Sequence, residues 1–424
     1  PPGAAIVALS GGADSAVVAW ALRQGRGRDV RAVHVHHGLP ASDALAAAAK
    51  QVAAAVGLPL ITIAVEIPSG PSQEGQARTA RLQALEADGG AGEWIVTGHH
   101  ADDVVETVIG NLMRGAGATG LSGMQARRGR WVRPLLAIPR AAVRRLADDL
   151  ALPYADDPAN LDRRHRRNVI RHDVIPVLED RLPGHDVRAA VARSAAALAA
   201  DDAVLEAKAA TLPLRISDGA VVVPAAVLAT ADAAVAARMA RRALRRARPP
   251  HAGSAADVDA VVAVAAGTRR RVALAAGWYA EREGPLVALY RTEPVGPSGS
   301  VPLEPDATVG FGDFEISLQA DPPSRYRPVG RWRVLLSQDA IGSHLVVRVV
   351  EPGERIDLGG GSKLVRDAMA EAGIPRRLRA AWPVVAAPAR IAWLVGARTA
   401  AWARADAAAT GNRVELSATK GTTP

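Results

Sequence analysis

Apolar and polar positions along the first 180 residues fall into blocks of two kinds. Residues 5–9, 30–35, 60–65 and 94–97 are short apolar runs rich in Val and Ile, too short for helices of their own, and they read as buried strands. Between them, residues 15–23, 42–56 and 73–87 repeat apolar side chains at helical spacing. This alternation predicts an α/β fold, a parallel sheet with helices on both faces. In such sheets a ligand sits at the carboxyl ends of the strands. Residues 181–295 are alanine-rich and predict a mainly helical domain with a few strands near 268–291. The stretch PVGPSGSVPLEPD at 295–307 predicts a Pro/Gly/Ser linker, and residues 308–424 a small α+β module. Within that module, residues 348–385 read as strand, loop, helix, basic turn and strand. The expected domains are therefore 1–180, 181–295 and 308–424.

Chemistry gathers where the strands end. After the first strand the chain reads Ser10-Gly11-Gly12-Ala13-Asp14-Ser15 and then enters an apolar helical pattern at once. Paired glycines permit a sharp turn and close approach of a ligand to the backbone. The helix that follows presents free N–H groups and the positive end of its dipole, which together favour an anion, most often phosphate. The plain alternative is a tight turn with Asp14 or Ser15 as an N-cap. Neither G-x-x-x-x-G-K-[ST] nor G-x-G-x-x-G is present. Two histidine-bearing stretches, His34-Val35-His36-His37-Gly38-Leu39 and Thr97-Gly98-His99-His100-Ala101-Asp102-Asp103, fall at other strand ends. No familiar ligand spacing supports a structural zinc, and histidines that close a nucleotide pocket fit better.

Two helical stretches add charged groups. Glu74-Gly75-Gln76-Ala77-Arg78 is one, and Asp102-Asp103-Val104-Val105-Glu106-Thr107 is the other. On a helix starting near Asp102, Asp103 and Glu106 share a face, and Val104, Val105, Val108, Ile109 and Leu112 would fill the buried side. Capping accounts for Asp102 more readily than for all three carboxylates. Two carboxylates beside a phosphate site can hold Mg²⁺, an incoming ammonium or a proton. Residues 133–136 read as an extended link, with a helix starting at Pro139 and carrying Arg140, Arg144 and Arg145 on its wet side.

Composition narrows the classes. The 52 basic and 43 acidic residues leave a formal charge of +9, which suits a nucleic-acid partner. Arg163, Arg164, Arg166, Arg167 and Arg171 lie close enough for their potentials to add toward a phosphate backbone, although charge runs are most often solvated loops. Residues 236–248, AARMARRALRRAR, put Arg241 and Arg245 among six arginines on one short helix, too charged around its circumference for core packing alone. The absence of cysteine excludes disulfides, thiolate metal ligands and cysteine nucleophiles. No apolar run is long enough for a membrane span and no signal-peptide pattern precedes the first strand, so a cytoplasmic location is expected. The chain opens on Pro1 rather than Met, which raises the expectation of a trimmed N-terminus.

Ser10–Ser15 resembles the SGGxDS loop of the PP-loop, or N-type, ATP pyrophosphatases, Rossmann-like enzymes that split ATP to AMP and pyrophosphate. In order along the chain, SGGADS, HVHHGL, EGQAR, HHADDVVET, NLMRGAGATGLSGM, RPLL and DDPANLDRRHRRNVIR closely resemble the tRNA(Ile)-lysidine synthases. Residues 348–385 resemble, more loosely, the small C-terminal domain of the longer synthases, which touches the tRNA acceptor region. The resemblance implies ATP and Mg²⁺ as cofactors, free L-lysine and a tRNA(Ile) with a CAU anticodon as partners, and lysidine at the wobble cytidine as product. It implies that Ser10, Gly11, Gly12, Ala13, Asp14 and Ser15 hold pyrophosphate, with Mg²⁺ near Asp14, and that His34 and His37 edge the pocket. Arg78, Asp103 and Glu106 fall on the family's essential polar positions: Arg78 for charge stabilisation, the two carboxylates for the lysine amine. His36 stands where the family often has Asn, and no role is assigned to it. Arg114, Arg163, Arg164, Arg167, Arg171, Arg241, Arg245, Lys363, Arg376 and Arg377 are the expected RNA contacts, with plain surface charge as the alternative for each. Another PP-loop tRNA-modifying or amide-forming enzyme is the second reading, and an inactive RNA-binding scaffold the third. Oligomeric state is left open.

Overall fold

The computed structural model describes residues 3–25, 29–38, 42–67, 73–90, 92–320, 322, 330–388, 390–405 and 412–421, without the side chains of residues 73 and 74. Leu39 of the HVHHGL motif and the Glu74 side chain therefore lie outside the described residues. The chain folds as two compact units, residues 1–204 and 205–424.

The first unit holds the predicted parallel sheet. Its strands are β1 (Ala5–Ala8), β2 (Val30–His36), β3 (Leu60–Ala64), β4 (Trp94–Val96), β5 (Arg127–Arg128) and β6 (Trp131–Val132), in the order β3-β2-β1-β4-β6-β5. All neighbours run parallel except β5, which pairs antiparallel with β6. Helices α1 (Ala13–Gln24), α2 (Ser42–Val56) and α3 (Gln73–Asp88) connect the first four strands. Alternate side chains of β1 point to opposite faces, as a strand requires. Val7 packs with Val17, Val52 and Val143 on one side, and Ile6 packs with Val33, Leu85 and Ile95 on the other. Strand order reverses between β1 and β4, so the loops leaving them part and open a crevice at their carboxyl ends.

Helix α4 (Ala101–Leu112) follows β4, then come α5 (Ala118–Leu121), α6 (Arg140–Asp149), the single turn α7 (Arg166–Val169), a π-helical stretch Ile170–Val174, α8 (Ile175–Arg181) and α9 (Val187–Ala210). On α4, Val105 and Ile109 pack on Ile170 and Ile175, while Val104 and Val108 pack on Ala195. Leu112, expected on the buried side, is exposed, because it sits at the helix end beyond that packing. Residues 133–136 are also not extended: Ile138 N–H bonds to the Leu135 carbonyl and Leu136 N–H to that of Arg133, closing a turn before α6.

The second unit contains helices α10 (Ala225–Thr230), α11 (Ala233–Ala247) and α12 (Ala255–Ala265) against a five-stranded antiparallel sheet. The strands of that sheet are β7 (Arg215–Ser217), β8 (Ala220–Pro224), β9 (Arg271–Leu274), β10 (Trp278–Glu283) and β11 (Leu286–Tyr290). Helix α11 does pack a full core face, with Met239, Ala243 and Leu244 buried and Arg241 and Arg245 exposed. Arg238 is buried as well and donates to the Ala234 carbonyl at 3.0 Å, so charge does not keep the helix out of the core.

The putting together of the C-terminal part begins earlier than residue 308. The segment Ser300–Leu303 inside the expected linker is strand β12, paired antiparallel with Leu345–Arg348. Valine and leucine in that Pro/Ser-rich stretch supply the inward side chains, and Leu303 is buried. Two further antiparallel sheets complete the unit around Phe314, Trp382, Trp393 and Leu416.

Candidate active site

Strand β1 ends at Ala8, and Ser10 to Gly12 turn the chain into α1 with Gly11 at φ +91°. That left-handed conformation, and a Leu45 carbonyl oxygen only 2.3 Å from where a Cβ would stand, require glycine there. The turn is braced from within. Ser15 Oγ accepts from Ser10 N–H at 3.1 Å, lies 3.0 Å from Ser10 Oγ and donates to the Gly12 carbonyl at 2.9 Å. The N-cap is Gly12 and no side chain caps the helix, so neither Asp14 nor Ser15 plays the plain capping role. The N–H groups at the start of α1 are thus left for an anion.

Strand β4 brings the second wall. Gly98 presses on the same turn: a Cβ there would meet the Asp14 carbonyl carbon at 2.8 Å and Ser15 N at 2.9 Å. His100 follows, almost fully buried, with Nε2 3.7 Å from Asp14 Oδ2 and 3.6 Å from Asp103 Oδ1. The Ser10–Ser15 turn and Asp103 therefore share one floor. Asp103 Oδ2 accepts from His100 N–H at 2.9 Å, so the helix-start bond expected of Asp102 is made by Asp103. Asp102 instead accepts from Arg140 N–H at 2.8 Å and from Arg188 at 2.6 Å.

Asp103 and Glu106 are both buried and face two arginines from the α7 region. Arg167 divides its guanidinium between them, donating Nε–H to Glu106 Oε2 at 2.6 Å and Nη2–H to Asp103 Oδ1. Arg171 grips Glu106 with Nε at 2.5 Å and Nη2 at 3.1 Å, and reaches Asp103 at 3.4 Å. Burial pushes the Asp103 carboxyl up, but Arg167 and His100 outweigh it and hold Asp103 below its ordinary range. Asp14 goes the other way: burial dominates and raises it despite His100, and its Oδ1 is buried without a hydrogen-bond partner.

Ser10, Asp14, Ser15, His100, Asp103, Arg167 and Arg171 line one cleft of about 1200 Å³, together with His34, His37, Arg78, Arg81, His99, Arg133 and Arg140, while Glu106 lies behind its two arginines with 1% of its side chain exposed. His34 Nδ1–H donates to the Leu9 carbonyl at 2.9 Å, and burial lowers both His34 and His37. His99 is brought down to about 4, chiefly by burial, with Arg133 and Arg167 reinforcing it and Asp103 opposing. It is therefore a neutral imidazole at neutral pH, hydrogen-bonded at 2.8 Å to Thr97 Oγ1.

Five cleft groups, Arg81, His99, His100, Arg133 and Arg140, carry no separate role in the sequence pattern. Arg81 sits one turn beyond Arg78 on α3 and makes no hydrogen bond or ion pair within the described residues. Arg140 faces the cleft rather than the wet side expected of it, and its charge acts on Asp14. Helical i,i+3 spacing from Arg78 would have found Arg81; nothing local would have found Arg140 or His100.

The expected RNA contacts divide. Arg114, Arg163, Arg164, Arg241 and Arg245 are exposed, Arg163 beside Asp173 at 3.1 Å and Arg164 beside Asp162 at 2.6 Å. Lys363 is half-buried and bonds Glu371 at 2.6 Å. Arg167 and Arg171 turn inward onto the carboxylates. Arg376 binds Glu281 at 2.9 Å and Glu293 at 2.6 Å, and Arg377 is buried against Glu283 at 2.8 Å and the Asp218 carbonyl at 2.6 Å. Arg377 is corrected from RNA contact to internal tie, because its charge and donors are already satisfied out of solvent.

Comparison with known proteins agrees with this geometry. A PP-loop domain model matches residues 2–178, and a TilS substrate C-terminal domain model matches residues 345–416. A tRNA(Ile)-lysidine synthase of Ralstonia nicotianae is 36% identical over 92% of this chain and 88% of its own length. One from Chromobacterium violaceum is 30% identical over 89% of this chain and 88% of its own. A third, from Alkalilimnicola ehrlichii, is 44% identical over a stretch that spans 47% of this chain and 46% of that protein. A glycine turn after β1 that leaves helix N–H groups free, a carboxylate-bearing helix after β4 and similarity over nearly the whole length lead to one conclusion: the chain belongs to the tRNA(Ile)-lysidine synthases, ATP-dependent ligases built on a PP-loop ATP-binding domain.

Proposed function

We propose that this enzyme joins free L-lysine to C2 of the wobble cytidine of a tRNA(Ile) with a CAU anticodon, through an adenylated tRNA. The supporting observation is the shared floor at His100, where Asp14 of the Ser10–Ser15 turn and Asp103 meet in one cleft, with Glu106 tied to Asp103 through Arg167. In the first step the cytosine C2 oxygen attacks the α-phosphorus of ATP and pyrophosphate leaves toward the Ser10–Ser15 turn. In the second the lysine ε-amine attacks C2 and AMP leaves. Adenylation turns a poor leaving oxygen into a good one, and Asp103 or Glu106 takes the proton that the ammonium must lose before it attacks. Arg78 and Arg81 line the same cleft and stabilise negative charge gathering at phosphate or at the cytosine oxygen.

Asp14 fits a Mg²⁺ carried by the triphosphate. Its unpartnered, buried Oδ1 would supply one carboxylate oxygen, and a magnesium ion commonly takes one or two carboxylates with phosphate oxygens and water. The ion would neutralise charge on the departing pyrophosphate.

The test incubates the enzyme with ATP, labelled lysine and unmodified tRNA(Ile), for the wild type and Glu106→Gln. The wild type should release AMP and pyrophosphate and label the RNA. Glu106→Gln should still form adenylated tRNA but little lysidine. Equal loss of both half-reactions would reject the amine role for Glu106 and move it to the nucleotide side.

A further inference from the structure

Asp103 and Glu106 carry two negative charges, and Arg167 and Arg171 bring two positive ones onto them. As it stands the carboxylate pair is neutralised. An ammonium arriving there gains little, since the acceptor oxygens are taken and the local charge is already balanced. The two arginines are not equivalent, however. Arg171 holds Glu106 with both Nε and Nη2, and only 11% of its side chain is exposed. Arg167 spreads its fork across both carboxylates, with 37% of its side chain exposed. It rides on a single helical turn, followed by a π-helical stretch, an arrangement often found at functional sites.

We propose that Arg167 is a stand-in for lysine: it holds the carboxylate pair until a phosphodiester draws it away, and the ε-ammonium then takes the place it leaves. This rests on the reading of Asp103 and Glu106 as the amine seat. The exchange balances charge one for one, because withdrawing Arg167 leaves a single negative charge beside Arg171. It also balances donors. Departure of Arg167 leaves Glu106 Oε2 and Asp103 Oδ1 with only the longer contacts from Arg171 Nη2, at 3.1 and 3.4 Å, and an ammonium with three N–H donors can bridge the same two oxygens.

The cleft supplies a reason for Arg167 to leave only when an anion comes. Its cationic neighbours Arg78, Arg81 and Arg133 line the same space, and Arg81 and His99 both feel the positive charge of Arg167. With no anion present, the carboxylates are its best partners. A phosphate placed among these cations competes for it, whether that phosphate belongs to the anticodon backbone or to the nucleotide. Arg167 is thus a positioning residue that links occupation of the RNA or nucleotide site to opening of the amine seat. Lysine is thereby kept from binding productively until a phosphate is in place.

The experiment is calorimetric titration of the full chain with L-lysine, alone, with unmodified tRNA(Ile), and with a non-hydrolysable ATP analogue. In the wild type one of the two anionic ligands should tighten lysine binding about 5- to 150-fold, the usual size of coupling between linked sites. The tRNA arm responding alone assigns the phosphate to the RNA, and the analogue arm alone assigns it to the nucleotide. Arg167→Gln should bind lysine more tightly by a similar factor with neither ligand present, and neither should tighten it further. Glu106→Gln separates the two levels of argument. If it binds lysine as the wild type does, the seat itself is wrong. If it loses lysine while Arg167→Gln neither tightens binding nor erases the coupling, the seat stands and the exchange is overturned. Should Arg167→Gln fail to fold, the wild type decides: lysine affinity indifferent to both tRNA and the analogue overturns the proposal.

Discussion

His99 shows how far a side chain's chemistry can be set by what surrounds it. Its folded value of about 4 lies below the ordinary 6.5, so between those limits the unfolded chain binds a proton that the folded chain refuses. Stability therefore rises with pH across this window and is lost as pH falls from 6.5 toward 4, by up to about 1.4 kcal/mol per pH unit for one proton. His34 and His37 are depressed too and act in the same direction, while Asp14, raised by burial, opposes them. His99→Gln should make the acid limb of a denaturant-unfolding series shallower between pH 6.5 and 4 without flattening it; an unchanged limb would mean that His99 is solvated. None of this was legible in residues 97–103, where the histidines showed only as a cluster. The same holds for Arg167. A run of arginines announces positive charge, but not that one member turns inward, because the partners Asp103 and Glu106 lie some sixty residues away in the chain.

The elements themselves were far more legible. Strands β1 to β4 and helices α1 to α3 fall within a residue or two of the hydrophobic pattern, although β3, expected to be buried, lies at the sheet edge with none of its five residues buried. Strands β5 and β6 escaped notice because two residues apiece carry no periodicity. Strand β12 escaped because proline and serine around it read as linker. Where two legible elements meet, a further constraint appears that neither announces. Gly98, at the end of β4, lies against the Asp14–Ser15 backbone at the start of α1, so a methyl group there has nowhere to go. Gly98→Ala should cost roughly 1–3 kcal/mol of stability as an overpacked contact. The larger effect should fall on ATP, because backbone rather than a flexible side chain must yield and the phosphate turn moves with it. Thermal unfolding and nucleotide binding measured together check this. A variant that loses stability but binds ATP unchanged would show that the turn adjusts independently of β4.

Across the whole molecule, the net charge of +9 is a sum over arginines with opposite duties, and stability and salt dependence tell them apart. In the second unit Arg377 is buried and neutralises Glu283, while Arg376 serves Glu281 beside Tyr290, whose hydroxyl is pushed up to about 12, mainly by burial. These ties join β10 and β11 to the part of the chain that a cut at residue 295 would remove. The linker reading alone would make such a truncation harmless, whereas the structure makes it strip Arg377 from Glu283 and leave Glu281 with only Arg271, at the longer distance of 3.8 Å, as counter-charge. Arg377→Ala should accordingly cost about 3–5 kcal/mol, the usual penalty for stranding one member of a buried pair. Arg241 and Arg245 occupy the exposed face of α11, four residues apart, and no acid engages them within the described residues. Replacing both by Gln should leave the melting temperature nearly unchanged, as surface substitutions usually do. If each meets an RNA phosphate, tRNA affinity should fall and the slope of log K against log salt should become shallower by ~1.4–1.8. The two variants thus make opposite demands on the same pair of measurements. A double variant with the wild-type slope would mark the wet face of α11 as ordinary surface charge, leaving the RNA to the cations around the cleft.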